Sequence, residues 1–129
     1  MELDRTRGFA AYFHRLTMGE TRKSQELLPG TLDLLILNAL VRAPMHGYGI
    51  AQRLKETSDE VLCVGESSLY PALQRLLLNG WVKAEWGASE NNRRARYYTL
   101  TPEGRKQLAA ERADFDRMIG AIQKALLTA

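Results

Sequence analysis

Apolar positions recur with helical periodicity along much of the chain, beginning near its start. Four apolar residues are spaced three and four positions apart: Phe9, Tyr12, Phe13 and Leu16. This spacing predicts one face of a short helix, and the charged stretch 19–26 predicts a linker. We therefore expect residues 1–28 to form an N-terminal extension. The pattern leaves open whether this extension docks on a dimer of the protein or is disordered.

Leucine-rich and amphipathic segments then predict three helices in succession. The first runs from about Leu32 to Arg42. The second runs from about Ile50 to Thr57, after a turn that contains two glycines. The third runs from about Ser67 to Leu78, where Asn79-Gly80 predicts a left-handed C-cap.

The periodicity next changes to that of strands. Residues 81–86 and 95–100 predict two short strands, and residues 87–92 between them have the composition of a turn. Thr101 and Pro102 then predict the N-cap and the first residue of a long helix. The apolar residues of this helix repeat at three, four and seven positions: Leu108, Phe115, Ile119, Ile122 and Leu126.

The order of these elements predicts a mainly α fold with a small β-hairpin. It is the order of a winged helix-turn-helix followed by a long C-terminal helix, with the second and third helices as the helix-turn-helix and the hairpin as the wing. We expect residues 29–101 to form the winged domain and residues 102–129 to form the C-terminal helix. The fold alone does not establish DNA binding, because winged helices also serve as protein-interaction modules.

Composition and charge narrow the class of protein. The chain has 129 residues, of which 45% are hydrophobic and 26% charged, as in a single globular domain. No apolar run approaches the roughly 18 to 20 residues that a membrane span requires, and the start lacks the apolar stretch of a signal peptide. We expect a cytoplasmic protein without a membrane partner. A net charge of +3 permits a polyanionic partner without demanding one.

Residues that carry catalytic or metal chemistry are sparse. The lone Cys63 excludes an internal disulfide and a cysteine-based metal cluster. His14 and His46 have no acidic cluster beside them, so we expect no metal site, and His46 is expected to cap a turn. No phosphate loop and no nucleophile with a positioned base is present. We expect no cofactor and no enzymatic activity; whether Cys63 senses oxidants or is a buried, inert thiol stays open.

Four separated motifs in this order resemble the PadR family of bacterial transcriptional regulators. They are LPGTLDLLILNAL, HGYGIAQRLKE, SSLYPALQRLLLNGWVKAEWG and NNRRARYYTLTPEGRKQL, and together they cover about residues 28 to 110. The resemblance implies a homodimeric winged-helix repressor, often relieved by a small-molecule effector. The single long C-terminal helix is similar to that of the compact branch of the family, in which this helix is the dimerisation element.

The chain departs from the family pattern at several positions. Ser67 stands where relatives commonly have Gly or Thr, and Leu77-Leu78 stands where charged or polar residues are usual. Members known for multidrug binding have a tryptophan on the C-terminal helix, whereas the tryptophans here, Trp81 and Trp86, lie in the predicted wing. The resemblance therefore does not imply the multidrug-binding pocket of those members for this chain.

The third helix supplies the first candidate DNA contacts. If its leucines are buried, its opposite face carries four polar residues: Ser67, Ser68, Tyr70 and Gln74. Serine and glutamine hydrogen-bond to base edges, and tyrosine reaches phosphate or sugar. The N-terminal part of a recognition helix enters the major groove. The alternative is that one serine is simply the N-cap and Gln74 a solvated residue.

The second helix and the wing supply the remaining candidate DNA contacts. In this fold Tyr48, at the start of the second helix, would lie beside the phosphate backbone; the alternative is a tyrosine packed in the turn. Arg93, Arg94 and Arg96 in the hairpin would meet phosphates or the minor groove. Strand alternation places Arg94 and Arg96 on one face. The alternative is a solvated loop.

The apolar face of the last helix is the candidate dimerisation surface, unless it packs on its own winged domain. A symmetric dimer would present two recognition helices to a palindromic operator about one DNA turn apart. The competing function is a protein-interaction module without specific DNA binding, which the apolar pair Leu77-Leu78 and the N-terminal extension favour. The sequence does not identify the operator, the regulated genes or an effector.

Overall fold

Helices dominate the fold, with one small antiparallel sheet beside them. The computed structural model describes residues 30–128, so the predicted helix and linker of residues 1–28 lie outside it. Its elements are α1 (Thr31–Ala39), β1 (Met45–His46), α2 (Gly47–Thr57), α3 (Glu66–Leu78), β2 (Val82–Ala88), β3 (Arg94–Leu100) and α4 (Pro102–Leu127). The winged helix-turn-helix with a long C-terminal helix is thereby confirmed. Within residues 30–128, no helix combines the length and the apolar character that spanning a membrane requires.

A single hydrophobic core joins α1, α2, α3 and the base of the sheet. Its largest fully buried side chains are Ile36, Leu37, Leu40, Ile50, Leu69, Leu73, Leu76 and Cys63. Burying each large aliphatic side chain contributes about 1.5–3 kcal/mol, so this cluster fixes how the three helices cross. Cys63 is buried, with its thiol 3.5 Å from the carbonyl oxygen of Glu60.

Helix α1 begins after Gly30, whose φ of 83° places it in the left-handed region. The helix ends at Ala39, three residues before the predicted end at Arg42. The N–H of Leu40 is shared between the carbonyls of Ile36 and Leu37, and the N–H of Val41 bonds to Asn38. This tightening of the last turn stops the helix before its apolar pattern runs out.

The sheet contains a third strand that the sequence did not predict. The strand order is β1-β3-β2, and β1 pairs Met45 with Tyr98 and His46 with Tyr97. Strand β1 has two residues, too few to show a period, and it exists because β3 offers it an open edge. Helix α2 follows it directly at Gly47, earlier than the predicted start at Ile50.

Helix α3 begins at Glu66 with Gly65 as its N-cap. The alternative that Ser67 or Ser68 caps the helix is therefore wrong, since both lie inside its first turn. Pro71 falls in the second turn, where its missing N–H leaves the Ser67 carbonyl without the usual helical donor. Because Ser67 is exposed, water can satisfy that carbonyl at little cost.

Helix α4 is attached to the winged domain through its first turn. Thr101 is its N-cap, as predicted: the Thr101 Oγ1 accepts from the Gly104 N–H at 3.0 Å and donates to the Gly80 carbonyl at 2.7 Å. Gly104 is buried against the backbone of Trp81, and a Cβ at this position would overlap the Trp81 carbonyl oxygen. The Gly80 carbonyl belongs to the left-handed turn that ends α3, with φ at 75°, so the ends of α3 and β3 and the start of α4 are held together.

Candidate nucleic-acid interface

The solvent-facing side of α3 carries the polar residues that the sequence singled out. Leu69, Leu73 and Leu76 are buried on the opposite side. The exposed residues of this helix include Ser67, Ser68, Tyr70, Pro71 and Gln74. No side-chain hydrogen bond caps the helix, so the two serine hydroxyls are not used for capping. The first two turns of α3 thus present hydroxyl and amide groups outward.

Tyr70 is the partly buried member of this group, with 37% of its surface exposed. Its ring lies over Gly47 at the start of α2, where a Cβ would stand 3.1 Å from the phenol oxygen. Burial raises the pKa of Tyr70 above its ordinary value, and the neighbouring Tyr98 phenol and Glu66 carboxylate add to the shift. Tyr70 therefore remains a neutral hydroxyl at physiological pH, able to donate one hydrogen bond and accept others.

Tyr48 lies at the start of α2, directly after Gly47. It is half-buried, and its ring is stacked with that of His46 at a centroid distance of 6.2 Å. The Nδ1 of His46 accepts from the Gly49 N–H at 3.0 Å, which confirms the capping role expected for this histidine. The cap fixes the start of α2, and with it the place of Tyr48 next to Gly47, against which the Tyr70 ring of α3 lies.

The wing places two of its three arginines on one face. The register pairs Ala88 with Arg94 and Trp86 with Arg96, so these four residues share a side of the hairpin. Arg94 and Arg96 are both exposed, which confirms the predicted alternation. The Arg94 guanidinium carbon lies 4.5 Å from the centroid of the Trp86 ring. The Trp86 side chain is 53% exposed.

Arg93 belongs to the turn of the wing and not to this basic face. Its backbone N–H donates to the Ser89 Oγ at 3.3 Å, and its carbonyl accepts from the Ser89 N–H at 2.7 Å. The preceding Asn92 has a φ of 57°, a left-handed conformation that asparagine tolerates in turns. The backbone of Arg93 thus shapes the turn, and the residue is only partly exposed.

Tyr98 connects the wing to α3. It follows Arg96 by two positions on the same face of β3, and the Arg96 guanidinium carbon lies 5.9 Å from the centroid of the Tyr98 ring. Tyr98 is buried, and it is close enough to Tyr70 to affect the pKa of that phenol. Arg96 thus lies against Tyr98 at the base of the wing, and the Tyr70 ring lies against Gly47 at the start of α2.

Trp86 is the residue of this surface that sequence reasoning missed as a functional candidate. The sequence placed Trp86 in the predicted wing and gave it no role there. The cross-strand pairing gives Trp86 its role. Trp86 lies directly opposite Arg96 and diagonal to Arg94, and an aromatic ring in this position can stack on an arginine side chain. That arrangement is visible only once the register of the hairpin is known.

The candidate dimerisation residues lie along one face of α4. Leu108, Phe115 and Ile119 are half-buried, whereas Ile122 is 40% and Leu126 72% exposed. The alternative that the whole face packs on its own winged domain is therefore wrong for the distal half of the helix. A long apolar face that its own winged domain leaves uncovered is typical of a protein-protein interface.

Known proteins share both the sequence pattern and this geometry. The sequence model of the Transcriptional regulator PadR-like family matches residues 36–110, which contain the core, α3 and the wing. A transcriptional regulator from Clostridium thermocellum (Cth-833) is similar, with a TM-score of 0.70 and 32% identity over 78% of this chain and 95% of its own. A PadR family transcription regulator from Clostridium difficile R20291 has a TM-score of 0.65 and 27% identity, covering 75% of this chain and 99% of its own.

A third similar structure is of Bacillus subtilis PadR in complex with operator DNA. Its TM-score is 0.55 and its identity 26%, over 62% of this chain; the match spans 46% of the Bacillus protein. The matched family residues cover more than half of the chain, and the solved regulators share its fold. The chain therefore belongs to the PadR-like family of transcriptional regulators.

Proposed function

We propose that this protein is a homodimeric transcriptional repressor that binds a palindromic operator. The observation that carries the proposal is that the wing exposes Arg94 and Arg96 on one face while α3 exposes the polar residues Ser67, Ser68, Tyr70 and Gln74. A surface of this composition combines phosphate-binding groups with groups that recognise base edges. The operator complex of the Bacillus subtilis relative supports the same kind of partner.

The roles of the residues follow from their chemistry. Ser67, Ser68 and Gln74 contact base edges in the major groove, because α3 presents them from its exposed side. Tyr70, as a neutral hydroxyl donor, and Tyr48 contact the phosphate backbone. The wing arginines Arg93, Arg94 and Arg96 contact phosphates, with Arg94 and Arg96 contributing most because they share the exposed face.

The dimer forms through α4, which serves as the dimerisation helix of residues 102–129, while residues 29–101 form the DNA-binding domain. The exposure of Ile122 and Leu126 supports this division, since a two-fold interface would bury apolar side chains of this kind. Two winged domains related in this way present their α3 helices to half-sites one helical turn apart, about 34 Å. A small-molecule effector that relieves repression completes the proposal, and it rests on the family resemblance.

A second function, a protein-interaction module without specific DNA binding, is favoured by one observation. Leu78, in the last turn of α3, is 79% exposed. A large apolar side chain at the edge of a helix suits a protein partner better than a nucleic acid. Replacing Leu78 by Gln distinguishes the two functions, because it would weaken a protein complex and leave operator affinity unchanged.

The decisive experiment is selection of bound DNA from a random pool with the full chain, followed by footprinting and light scattering. We expect one palindromic sequence to be enriched, a footprint over both half-sites, and the mass of a dimer. Affinity for the enriched sequence should exceed that for random DNA by about 10³-fold or more. Enrichment of no sequence, or a stable monomer at micromolar concentration, would contradict the proposal.

A further inference from the structure

His46 lies where the wing meets the start of α2. It is the last residue of β1 and the N-cap of α2, and it pairs with Tyr97 of β3. Its side chain is 13% exposed. The ring of Tyr48 stacks on it at a centroid distance of 6.2 Å, and the ring of Tyr97 meets it edge-on at 5.3 Å. The imidazole is therefore in contact with α2 and with the wing at the same time.

The hydrogen bond to α2 determines which nitrogen of the ring carries the proton. The Nδ1 of His46 accepts from the Gly49 N–H at 3.0 Å, and a ring nitrogen that accepts a hydrogen bond is unprotonated. In the neutral ring the proton is therefore on Nε2. This nitrogen lies 3.9 Å from Oε1 of Glu90 at the tip of the wing. The neutral imidazole thus caps α2 with one nitrogen and turns the other toward a carboxylate of the wing.

The tip of the wing is attached to this site by hydrogen bonds as well. The Tyr97 hydroxyl donates to the Ala88 carbonyl at 3.0 Å. Ser89, the residue before Glu90, is buried, and its N–H donates to the Arg93 carbonyl at 2.7 Å. Because Tyr97 also contacts the His46 ring, the turn that carries Glu90 has two connections to the N-cap of α2.

The other polar groups near the ring share a cleft of about 560 Å³ with it. Besides the two phenols and Glu90, the cleft is lined by Gln52, Arg53 and Glu56 of α2. The Gln52 amide donates to the Glu56 carboxylate at 3.2 Å, while Arg53 and Glu56 have opposite charges and act on the ring in opposite directions. Among residues 30–128, Glu90 is the carboxylate that pairs with the imidazole.

A second proton on the ring is incompatible with the cap. That proton would go on Nδ1, where it would face the Gly49 N–H with no acceptor between the two donors. The positive ring would also lie at the N-terminal end of α2, where the helix dipole disfavours a cation. The Glu90 carboxylate, in contrast, favours the charged ring. Protonation of His46 therefore exchanges the cap of α2 for a stronger attraction at the tip of the wing.

We propose that His46 is a positioning residue for operator binding, and that the chain binds its operator while this ring is neutral and releases it when the ring is protonated. The inference rests on the proposed DNA-binding function. The neutral ring holds Tyr48, a proposed phosphate contact, and the wing in one arrangement, and loss of the cap frees the start of α2. The direction of the effect is diagnostic, because a histidine that only added positive charge would strengthen DNA binding on acidification.

Operator affinity of the full chain, measured at constant salt between about pH 8 and pH 5.5, tests the proposal. We expect the affinity to decrease about three- to tenfold on acidification, as for the loss of an N-cap. His46→Asn should remove this pH dependence, because asparagine caps a helix and does not titrate. The chain has two histidines, so His14→Asn is the matched control and should keep the pH dependence. The same decrease in His46→Asn as in the unsubstituted chain would overturn the proposal.

The contribution of Glu90 has its own test. Its carboxylate favours the protonated ring, so in Glu90→Gln the operator affinity should be lost at a lower pH than in the unsubstituted chain. Glu103→Gln, which removes an exposed carboxylate of α4 outside the cleft, should leave the midpoint where it was. An unchanged midpoint in Glu90→Gln would contradict the pairing of the wing tip with His46. Circular dichroism at each pH verifies that the variants are folded.

Nuclear magnetic resonance of the chain without DNA follows the cap directly. The Gly49 amide resonance should shift with the same midpoint as the His46 ring, and a Gly49 amide that does not respond to the ring would overturn the proposal. Absence of specific binding already at about pH 8 would overturn the proposed function and this inference with it. Specific binding that is independent of pH would overturn this inference alone, so the two failures are distinguishable.

Discussion

The guanidinium of Arg94 stacks on the ring of Trp86, with 4.5 Å between its central carbon and the ring centroid. Both side chains are exposed on the wing, where an arginine would otherwise sample many rotamers. The indole restricts the guanidinium, and the Arg94 side chain stays exposed to solvent. If Arg94 binds phosphate as proposed, its guanidinium is oriented before the DNA arrives.

Replacing Trp86 by Ala should therefore weaken DNA binding although every positive charge is retained. We expect a two- to fivefold decrease in affinity on operator and random DNA alike, about the value of an exposed cation–π interaction. Trp86→Phe should have a smaller effect, because a smaller ring still stacks. Fluorescence anisotropy with labelled duplexes measures both; a decrease confined to the operator would instead indicate that the indole itself contacts a base.

Replacing Arg94 and Arg96 together by Ala should reduce the salt dependence of binding. Each phosphate neutralised by the protein contributes about 0.9 to the slope of log K against log salt concentration. The slope should become shallower by that amount for each phosphate that the variant no longer neutralises. Arg112→Ala, which removes an exposed charge on α4, is the matched control. An unchanged slope in the Arg94 and Arg96 variant would exclude the wing as a phosphate-binding element.

Gln74→Ala should affect operator recognition and not general affinity. A glutamine bonded to a base edge contributes about 1–3 kcal/mol of discrimination, so operator binding should weaken by that amount while binding to random DNA stays constant. Gln123→Ala, an exposed glutamine of α4, should change neither. Equal decreases on both DNAs would refute a base contact for Gln74.

The exposed face of α3 was predictable because its leucines repeat at helical spacing and leave Ser67, Tyr70 and Gln74 on the other side. The long helix was predictable for a local reason too, since Thr101 and Pro102 form a start signal within two residues. The partial burial of Tyr70 was not predictable. It depends on Gly47, more than twenty residues away, which leaves room for the phenol ring.

The burial of Tyr70 has a consequence for stability at alkaline pH. Its pKa is raised mainly by burial, so the folded state binds the phenolic proton more tightly than the unfolded state. This contribution is fully present below the unfolded pKa of about 10 and is lost as pH rises above it. Urea unfolding at pH 9 and pH 11 should show a smaller decrease in stability for Tyr70→Phe than for the unsubstituted chain; equal decreases would contradict the assignment.

Two glycines of α4 should respond in opposite ways to replacement by Ala. At Gly104 a Cβ would overlap the Trp81 carbonyl and lie 2.8 Å from the Leu100 Cδ1, so overpacking should cost about 1–3 kcal/mol. At Gly120 nothing in the described part of the chain lies within 4 Å of an added Cβ, and higher helix propensity should stabilise by up to about 1 kcal/mol. Thermal unfolding measures both. A neutral Gly104→Ala would mean that α4 can move away from Trp81.

Strand alternation predicted that Arg94 and Arg96 share a face, but the sequence could not indicate that the backbone of Arg93 belongs to the turn. Arg93, Arg94 and Arg96 lie within four positions, but the left-handed Asn92 and the hydrogen bonds to Ser89 place the backbone of Arg93 in the turn. Strand β1 escaped prediction for a related reason, since its pairing with β3 is long-range. In both cases partners distant in sequence, or a single turn residue, determine the outcome.

The bonds of Thr101 leave no hinge between the winged domain and α4. One residue separates β3 from α4, a helix of 26 residues that is about 39 Å long. The first turn of α4 is packed against Gly80 and Trp81, so the helix would move as a rigid body about this junction. A tilt of about 5° there would shift the far end of α4 by about 3 Å. In a dimer joined at those far ends, small changes in helix packing there become changes in the spacing of the two α3 helices. A signal that releases the operator would then act most economically at the distal end of α4, far from the DNA.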